Sequence, residues 1–265
     1  MTIEETMQTF GFHINNITMD IEMISAHVHN YYEIYYLTQG SRTFFIDNSF
    51  SHINIGDFIL IPARKFHRTA GGKCTRINFT FSKAYLQRFY TSKTINLLLA
   101  PFSNHRLRPL KKDSERASEI LTELLELFPN KDDRISLLLA ELLNILSRAR
   151  IITETEHSNE ENKIEQIVEY TNKNYASINS TQDVANAFYI SKEHFCRLFK
   201  KNMGIPFSEY LNKTKLYYAA KLLRNTNNSL TEIAIMCGFH TSTYFCKVFK
   251  LEHGITPLTY RRNHK

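Results

Sequence analysis

The sequence predicts an α+β chain of two domains. A small β-barrel or sandwich with a following helical segment comes first, and an all-α domain with two helix-turn-helix units comes second. Three observations carry this. Short runs rich in aromatic and β-branched residues, bounded by turn residues, occupy residues 10–82. An internal repeat with an offset of 50 residues fills the end of the chain. The charge is also unevenly placed. Residues 1–160 carry 18 Lys and Arg against 18 Asp and Glu, and residues 161–265 carry 15 against 8, so the whole net charge of +7 lies in the second part.

In the first part, residues 31–37, 42–46, 58–61 and 77–81 read as strands. Turn residues separate them: Gln39-Gly40, Asp47-Asn48, Ile55-Gly56-Asp57 and Ala70-Gly71-Gly72. Residues 83–150 read as helical. Leu121, Leu124, Leu125 and Phe128 recur at helical spacing, as do Ile135, Leu138, Leu139, Leu142, Leu143 and Leu146. Asp113-Ser114 and Asp132-Asp133 are expected helix starts, and Phe128-Pro129-Asn130 is a break. The leucine stripe is either internal core or the seam between two chains. Residues 153–162, TETEHSNEEN, contain no large apolar side chain and read as an exposed linker. The expected layout is a sensing and dimerisation domain at 1–152, with the barrel at about 10–82 and helices at about 83–152. A linker at 153–162 leads to a basic domain at 163–265.

The repeat sets the second domain. Phe195-Cys-Arg-Leu-Phe-Lys200, then Gly204-Ile205 and Tyr210, return as Phe245-Cys-Lys-Val-Phe-Lys250, then Gly254-Ile255 and Tyr260. Upstream the offset falls to 49: Ser180-Thr-Gln-Asp183 matches Ser229-Leu-Thr-Glu232. Each serine with its acidic partner three residues on reads as a capped helix start. Short helices follow at 181–188 and 230–237. After a tight turn, Ser191 and Thr241 cap longer helices that end near Gly204 and Gly254, where glycine suits the left-handed position. The two helix-turn-helix units therefore span about 181–203 and 230–253. Between them, Pro206 opens a helix running to Asn225, roughly 30 Å long at 1.5 Å per residue. That length can hold two helices about one DNA turn apart.

The longer helix of each unit has an apolar stripe, Phe195, Leu198 and Phe199 or Phe245, Val248 and Phe249, which is core. The opposite faces carry Lys192, Glu193, Cys196, Arg197 and Lys200, and then Ser242, Thr243, Cys246, Lys247 and Lys250. Such faces fit a major groove, where Arg197 and Lys247 are long enough to reach guanine edges or phosphates. One such helix alone would be an ordinary solvated surface; two at matching positions point to double-stranded DNA.

Residues 164–262 resemble the DNA-binding domain of AraC/XylS-type transcription regulators. The strings that carry the resemblance are Ser191-Lys-Glu-His-Phe-Cys-Arg-Leu-Phe-Lys200 and Cys237-Gly-Phe-His-Thr-Ser-Thr-Tyr-Phe-Cys-Lys-Val-Phe-Lys250. The second runs on into Gly254-Ile-Thr-Pro-Leu-Thr-Tyr-Arg261. The resemblance implies that both longer helices enter major grooves, with Glu193, Cys196, Arg197, Ser242, Thr243, Cys246 and Lys247 facing bases. Cysteine is an unusual reader, since its S–H is a weak donor.

His27-x-His29-x3-Glu33-x6-Gly40 is followed by Gly56-x5-Pro62-x4-His67. This resembles the two motifs of the cupin barrel, in which two His, a Glu and a third His can hold a metal. In strand geometry His27, His29, Glu33, Tyr35 and Leu37 share one face, expected to point into the barrel. Three imidazoles and a carboxylate suit Zn, Fe, Mn or Ni. The sequence departs from the pattern at Arg64 and Gly71, where Gly and Asn are usual. Arg64 places a charge near the mouth, which favours an anionic or hydroxyl-bearing ligand. The expected ligand pocket is thus His27, His29, Glu33, Tyr35, Arg64 and His67, with no resident cofactor. A metal on His27, His29, Glu33 and His67, or a purely structural cluster, are the alternatives.

Composition narrows the rest. No run of 18 or more apolar residues exists, so no transmembrane helix and no membrane partner are expected. Met1 to Phe10 lacks a basic segment followed by an apolar one, so no secretory signal is expected. Cys74, Cys196, Cys237 and Cys246 form no C-x-x-C pair, which fits a reducing cytoplasm. The expectation is a non-enzymatic, effector-responsive activator, a homodimer that binds DNA and contacts RNA polymerase, with a sugar as effector by resemblance. The alternatives are a repressor or ligand-independent regulator, and a cupin-type metalloenzyme with a fused DNA-binding domain.

Overall fold

The computed structural model describes residues 2–19, 27–46, 48–153 and 158–264. The expected turn residue Asp47 and residues 154–157 of the expected linker lie outside these. The chain forms two compact units, Met1–His157 and Ser158–Lys265.

The first unit opens with α1 (Ile3–Phe10) and β1 (Phe12–Met19). β2 (Tyr32–Gln39), β3 (Arg42–Ile46), β4 (Ser49–Ile53), β5 (Phe58–Ile61), β6 (His67–Ala70) and β7 (Cys74–Phe81) follow. Then come α2 (Lys83–Gln87), α3 (Ser92–Leu99), β8 (Arg106–Arg108), α4 (Lys111–Leu127), α5 (Arg134–Ser147) and β9 (Arg150–Ile151). The strands form a six-stranded sheet, β1-β7-β2-β5-β8-β9, and a three-stranded sheet, β4-β3-β6. The cupin-like domain is therefore two facing sheets that do not close into a ring among the described residues.

Alternation along each strand divides the apolar residues between two cores. Ile34, Phe58, Leu60, Ile77, Phe79 and Phe81 cover one face of the large sheet and pack against Leu121, Leu124, Leu139, Leu142, Leu143 and Leu146. The leucine stripe is thus internal core. Tyr35, Leu37, Ile59, Ile61 and Cys74 cover the other face and meet Phe44, Ile46 and Ile53 of the small sheet.

Several expectations shift. α4 starts at Lys111, two residues before Asp113, with Leu110 at its N-cap. α5 starts at Arg134, whose backbone N–H donates to Asp132 Oδ1 at 2.8 Å. Phe128–Asn130 is a 3-10 turn, which fits the expected break. β8 and β9 lie in the stretch read as purely helical. They are too short to show a period, and a buried ion pair fixes the first of them: Asp57 Oδ2 accepts from Arg106 Nη2 at 2.8 Å and Asp57 Oδ1 from Arg108 Nε at 2.7 Å. β1, β4 and β6 also complete sheets that the short-run reading left incomplete, and Ala70, expected in a turn, ends β6.

The second unit is helical: α6 (Asn159–Asn174), α7 (Thr181–Ala187), α8 (Lys192–Met203), α9 (Phe207–Asn225), α10 (Leu230–Met236), α11 (Ser242–His253) and α12 (Pro257–His264). The cap chemistry acts as the sequence indicates. Ser180 with Asp183 and Ser229 with Glu232 form reciprocal capping boxes at α7 and α10. Ser191 and Thr241 cap α8 and α11, which both end on a left-handed glycine, Gly204 and Gly254. Pro206 takes the N-cap position of α9 with extended backbone, just outside the helix. Among the described residues no helix is long and apolar enough to cross a membrane.

Candidate functional site

The first candidate surface is the pair α8 and α11. Phe195, Leu198, Phe199 and Met203 turn inwards on α8, and Phe245 and Phe249 on α11. The stripe fixes which side faces out. Lys192, Glu193, Cys196, Arg197 and Lys200 are exposed, as are Thr243, Lys247 and Lys250; Ser242 and Cys246 are half-buried. Burial raises the Cys246 thiol above its ordinary value, so it stays protonated and acts as a small apolar filler. Two neighbours escape a reading of the sequence. Arg197 Nη2 donates to His194 Nδ1 at 3.2 Å, and Tyr244 stands exposed one step beyond Thr243. The Arg197–His194 contact is an i,i+3 relation visible in the sequence but indistinct among other exposed pairs.

The second candidate site lies at one end of the inter-sheet space. His27 and His29 are expected on the β2 strand with Glu33; they lie before it, because β2 begins at Tyr32. A tertiary contact places them. His27 pairs with His67 as an isolated bridge, N–H to O at 3.1 Å one way and 3.2 Å the other. Arg64, at φ 66°, gives its backbone N–H to His29 O at 2.7 Å. The chain before β2 is thereby tied to the start of β6 and the turn leading into it. Three imidazole nitrogens converge as a result: one ligand atom each from His27, His29 and His67 lies within 4.8 Å of the others.

Hydrogen bonds orient the rings. His67 Nδ1 donates to Lys65 O at 3.0 Å, so the lone pair on Nε2 faces the cluster, where it has no hydrogen-bond partner. Burial, with His27 and His29 adding to it, pushes the His67 pKa down to about 4, and the ring is neutral at pH 7. His29 Nδ1 donates to Tyr31 O at 2.9 Å, and Nε2 lies 2.8 Å from Glu33 Oε2. Tyr31 O and Glu33 Oε2 thus hold the ring at both of its nitrogens. Burial alone would raise the Glu33 carboxyl. The His29 hydrogen bond, the other imidazole and Arg76 outweigh it and hold the pKa at about 2. Tyr31, which the sequence does not flag, stacks flat on His29 with centroids 4.0 Å apart.

Of the six expected pocket residues, His27, His29, Glu33 and His67 come together. Tyr35 belongs to the apolar wall, its hydroxyl 3.7 Å from Cys74 Sγ and its ring 4.7 Å from Phe44. Arg64 is held at the rim, its Nε donating to Asn30 Oδ1 at 2.8 Å. The three nitrogen donors, with Nδ1 of His29 and of His67 anchored on backbone carbonyls, fit a borderline divalent cation, with Glu33 adjacent.

Comparison with known proteins gives a match for each of the two units. Residues 13–165 match the AraC-like ligand binding domain and residues 184–263 match a helix-turn-helix domain. The HTH-type transcriptional activator RhaR of Mannheimia succiniciproducens is 27% identical over 249 residues, covering 89% of this chain and 86% of that protein. The HTH-type transcriptional regulator YijO of Escherichia coli is 41% identical over 100 residues, and there the match spans only 38% of this chain and 35% of that protein. Among solved structures, the C-terminal domain of the response regulator yesN from Fusobacterium nucleatum is 32% identical, covering 38% of this chain and 98% of that one, with a TM-score of 0.36. With its AraC-like ligand binding domain covering more than half of the chain and its duplicated helix-turn-helix domain behind it, this chain belongs to the AraC family of transcription regulators.

Proposed function

We propose that this protein is an effector-responsive DNA-binding activator in which α8 and α11 enter successive major grooves of double-stranded DNA. The duplicated, identically capped recognition helix with an outward polar and basic face carries this reading. The 19 residues of α9 between the two units span about 28 Å. That approaches the spacing of about 34 Å between grooves on one face of a duplex. Arg197 and Lys247 are the base-facing cations, flanked by Glu193, Cys196, Ser242, Thr243 and Cys246; Lys192, Lys200 and Lys250 serve the phosphates. The activator sense follows from the name that RhaR carries. A sensing domain at 1–152 with the inter-sheet effector site, a linker shorter than the expected 153–162 because α6 already begins at Asn159, a DNA-binding domain at 159–265, a homodimer, contact with RNA polymerase and a cytoplasmic home complete the reading. The ligand can favour DNA binding only if it binds one state of the protein more tightly than the other.

The test is binding to a selected operator by fluorescence anisotropy. Arg197→Ala together with Lys247→Ala should abolish the preference for the operator over random DNA. Unchanged preference removes α8 and α11 from the interface.

The unpartnered His67 Nε2 supports a second reading of the sensor, in which the effector is held with a divalent cation on His27, His29 and His67 beside Glu33. A cation there would supply Lewis-acid affinity for an oxygen ligand. Cobalt(II) titration should develop visible d–d bands in the wild-type protein and none in His67→Ala; a colourless wild type removes the cation.

A further inference from the structure

One row along the sheet from Glu33, two asparagines present carboxamide oxygens that no described residue uses. In the register of the large sheet, Thr80 of β7 sits opposite Glu33, and Asn78 sits opposite both Asn15 of β1 and Tyr35 of β2. Asn78 has the same parity as Cys74, which belongs to the inter-sheet core, whereas Ile77 and Phe79 belong to the helix-side core. Asn15 has the same parity as Met19, which packs on the inter-sheet core. Both amides therefore look into the space between the sheets, on the face that carries Glu33.

Asn78 is 6% exposed, and its Oδ1 has no partner. Asn15 Nδ2 is paired with His13 Nε2 at 3.2 Å, which fixes the amide and leaves its Oδ1 buried and without a partner as well. Buried polar atoms are nearly always hydrogen-bonded, and leaving one unmet is costly. Two on neighbouring strands in one row, beside the similarly unmet His67 Nε2, are what a pocket shows before its ligand arrives.

We infer that the effector is held at two levels of the inter-sheet space, by the imidazole–carboxylate cluster and by Asn15 Oδ1 with Asn78 Oδ1, and is a small molecule rich in hydrogen-bond donors. The inference rests on the effector-responsive reading and deepens it. Three of the unmet atoms, Asn15 Oδ1, Asn78 Oδ1 and the lone pair of His67 Nε2, are acceptors, so the ligand must bring N–H or O–H groups to them, while His13 Nδ1, behind Asn15, is an unmet donor. The two levels are two residues apart along β7, about 7 Å, so donors at both ends of one small molecule reach both. Hydroxyl groups and amine groups share this chemistry, and a polyol and a diamine are the two sources to separate.

The experiment uses the full chain and two small probes, xylitol and putrescine. Without ligand, Asn78→Leu replaces an unmet buried amide by an apolar group of similar size and should raise the melting midpoint by about 2–4 °C. At about 10 mM, either xylitol or putrescine should raise the wild-type midpoint, and the shift should vanish in Asn78→Leu and in the half-buried Asn15→Ala. Xylitol acting alone identifies hydroxyl donors; putrescine acting alone identifies amines. A lowered ligand-free midpoint in Asn78→Leu would mean that the amide is structural and overturn the inference. Shifts of full size in both variants, or no shift with either probe, would overturn it too. If wild-type protein binds no operator either with or without the probes, the regulator reading fails, while the ligand-free and probe-induced midpoints still decide the inference.

Discussion

The two helix-turn-helix units begin from nearly the same local code and end up anchored differently. α7–α8 and α10–α11 share capping boxes, a second capped helix of equal length, a phenylalanine pair and a left-handed glycine stop. They differ in the turn. In the second unit Gly238 has φ 72°, and a Cβ there would lie 2.2 Å from Ala176 O. The buried Lys215 of α9 donates to Gly238 O at 2.8 Å and to Ile178 O at 3.1 Å, bridging that turn to the α6–α7 connection. Tyr175 stacks on Tyr218 beside it, centroids 4.2 Å apart. In the first unit the equivalent turn residue is Tyr189, also left-handed at φ 54° but 96% exposed. One turn is clamped and the other is open. A repeat in sequence therefore fixes two helical hairpins without fixing how firmly each is held.

The largest effect should come from breaking the clamp. Gly238→Ala combines left-handed strain of about 1–2 kcal/mol with overpacking of about 1–3 kcal/mol against Ala176. A urea midpoint should fall accordingly, and methylation protection of the operator should weaken first over the half-site of the second unit. Equal loss over both half-sites would mean that the clamp serves the whole unit rather than α11.

Lys215→Met should cost about 1–3 kcal/mol, because two backbone carbonyls lose their donor. Burial also lowers the pKa of Lys215 in the folded state below its ordinary 10.5. The native state then holds that proton less tightly than the unfolded chain, so stability contributed by this group rises as pH climbs towards 10.5. Denaturation curves of wild type and Lys215→Met across that window should show the rise in wild type only.

The reading faces sharpen the same contrast. α8 shows Lys192, Arg197, Lys200 and Lys201 against Glu193, whereas α11 shows Lys247 and Lys250 against Glu252. Arg197→Ala should weaken operator binding by about 1–3 kcal/mol if its guanidinium meets guanine bidentately. Lys247→Ala should cost less, since its ammonium lacks the planar fork with which a guanidinium pairs to a base edge. Anisotropy titrations at three salt concentrations check both; equal effects would make the units equivalent readers. The smallest effect is expected at the open turn. Tyr189→Gly relieves a left-handed side chain that stands almost wholly in solvent, and should stabilise by up to about 1 kcal/mol with operator affinity unchanged.

Legibility follows the range of the interaction. Strands Arg42–Ile46 and Phe58–Ile61, both capping boxes and both glycine stops are local patterns, and the sequence shows them at the observed residues. β8 and β9 carry no period, and Asp57 reaches Arg106 only across 49 residues of chain. His27, His29, Glu33 and His67 are visible as a motif. Strand alternation misplaces the first two, because a bridge to His67 holds them and β2 does not. Asn15 and Asn78 give no signal, since an asparagine in a strand looks like any solvated position until the opposing sheet covers it.

The sequence by itself determined the two helical hairpins, their capped boundaries, the confinement of positive charge to the second unit and the residue types of the sensing cluster. Each of these depends on neighbours within about one helical turn or on simple composition. Only the tertiary structure decided that the leucine stripe is core, that one turn is clamped and the other open, and that three imidazoles converge beside Glu33. Those outcomes require residues far apart in the chain to be brought within a few ångströms, and short-range spacing holds no record of such contacts.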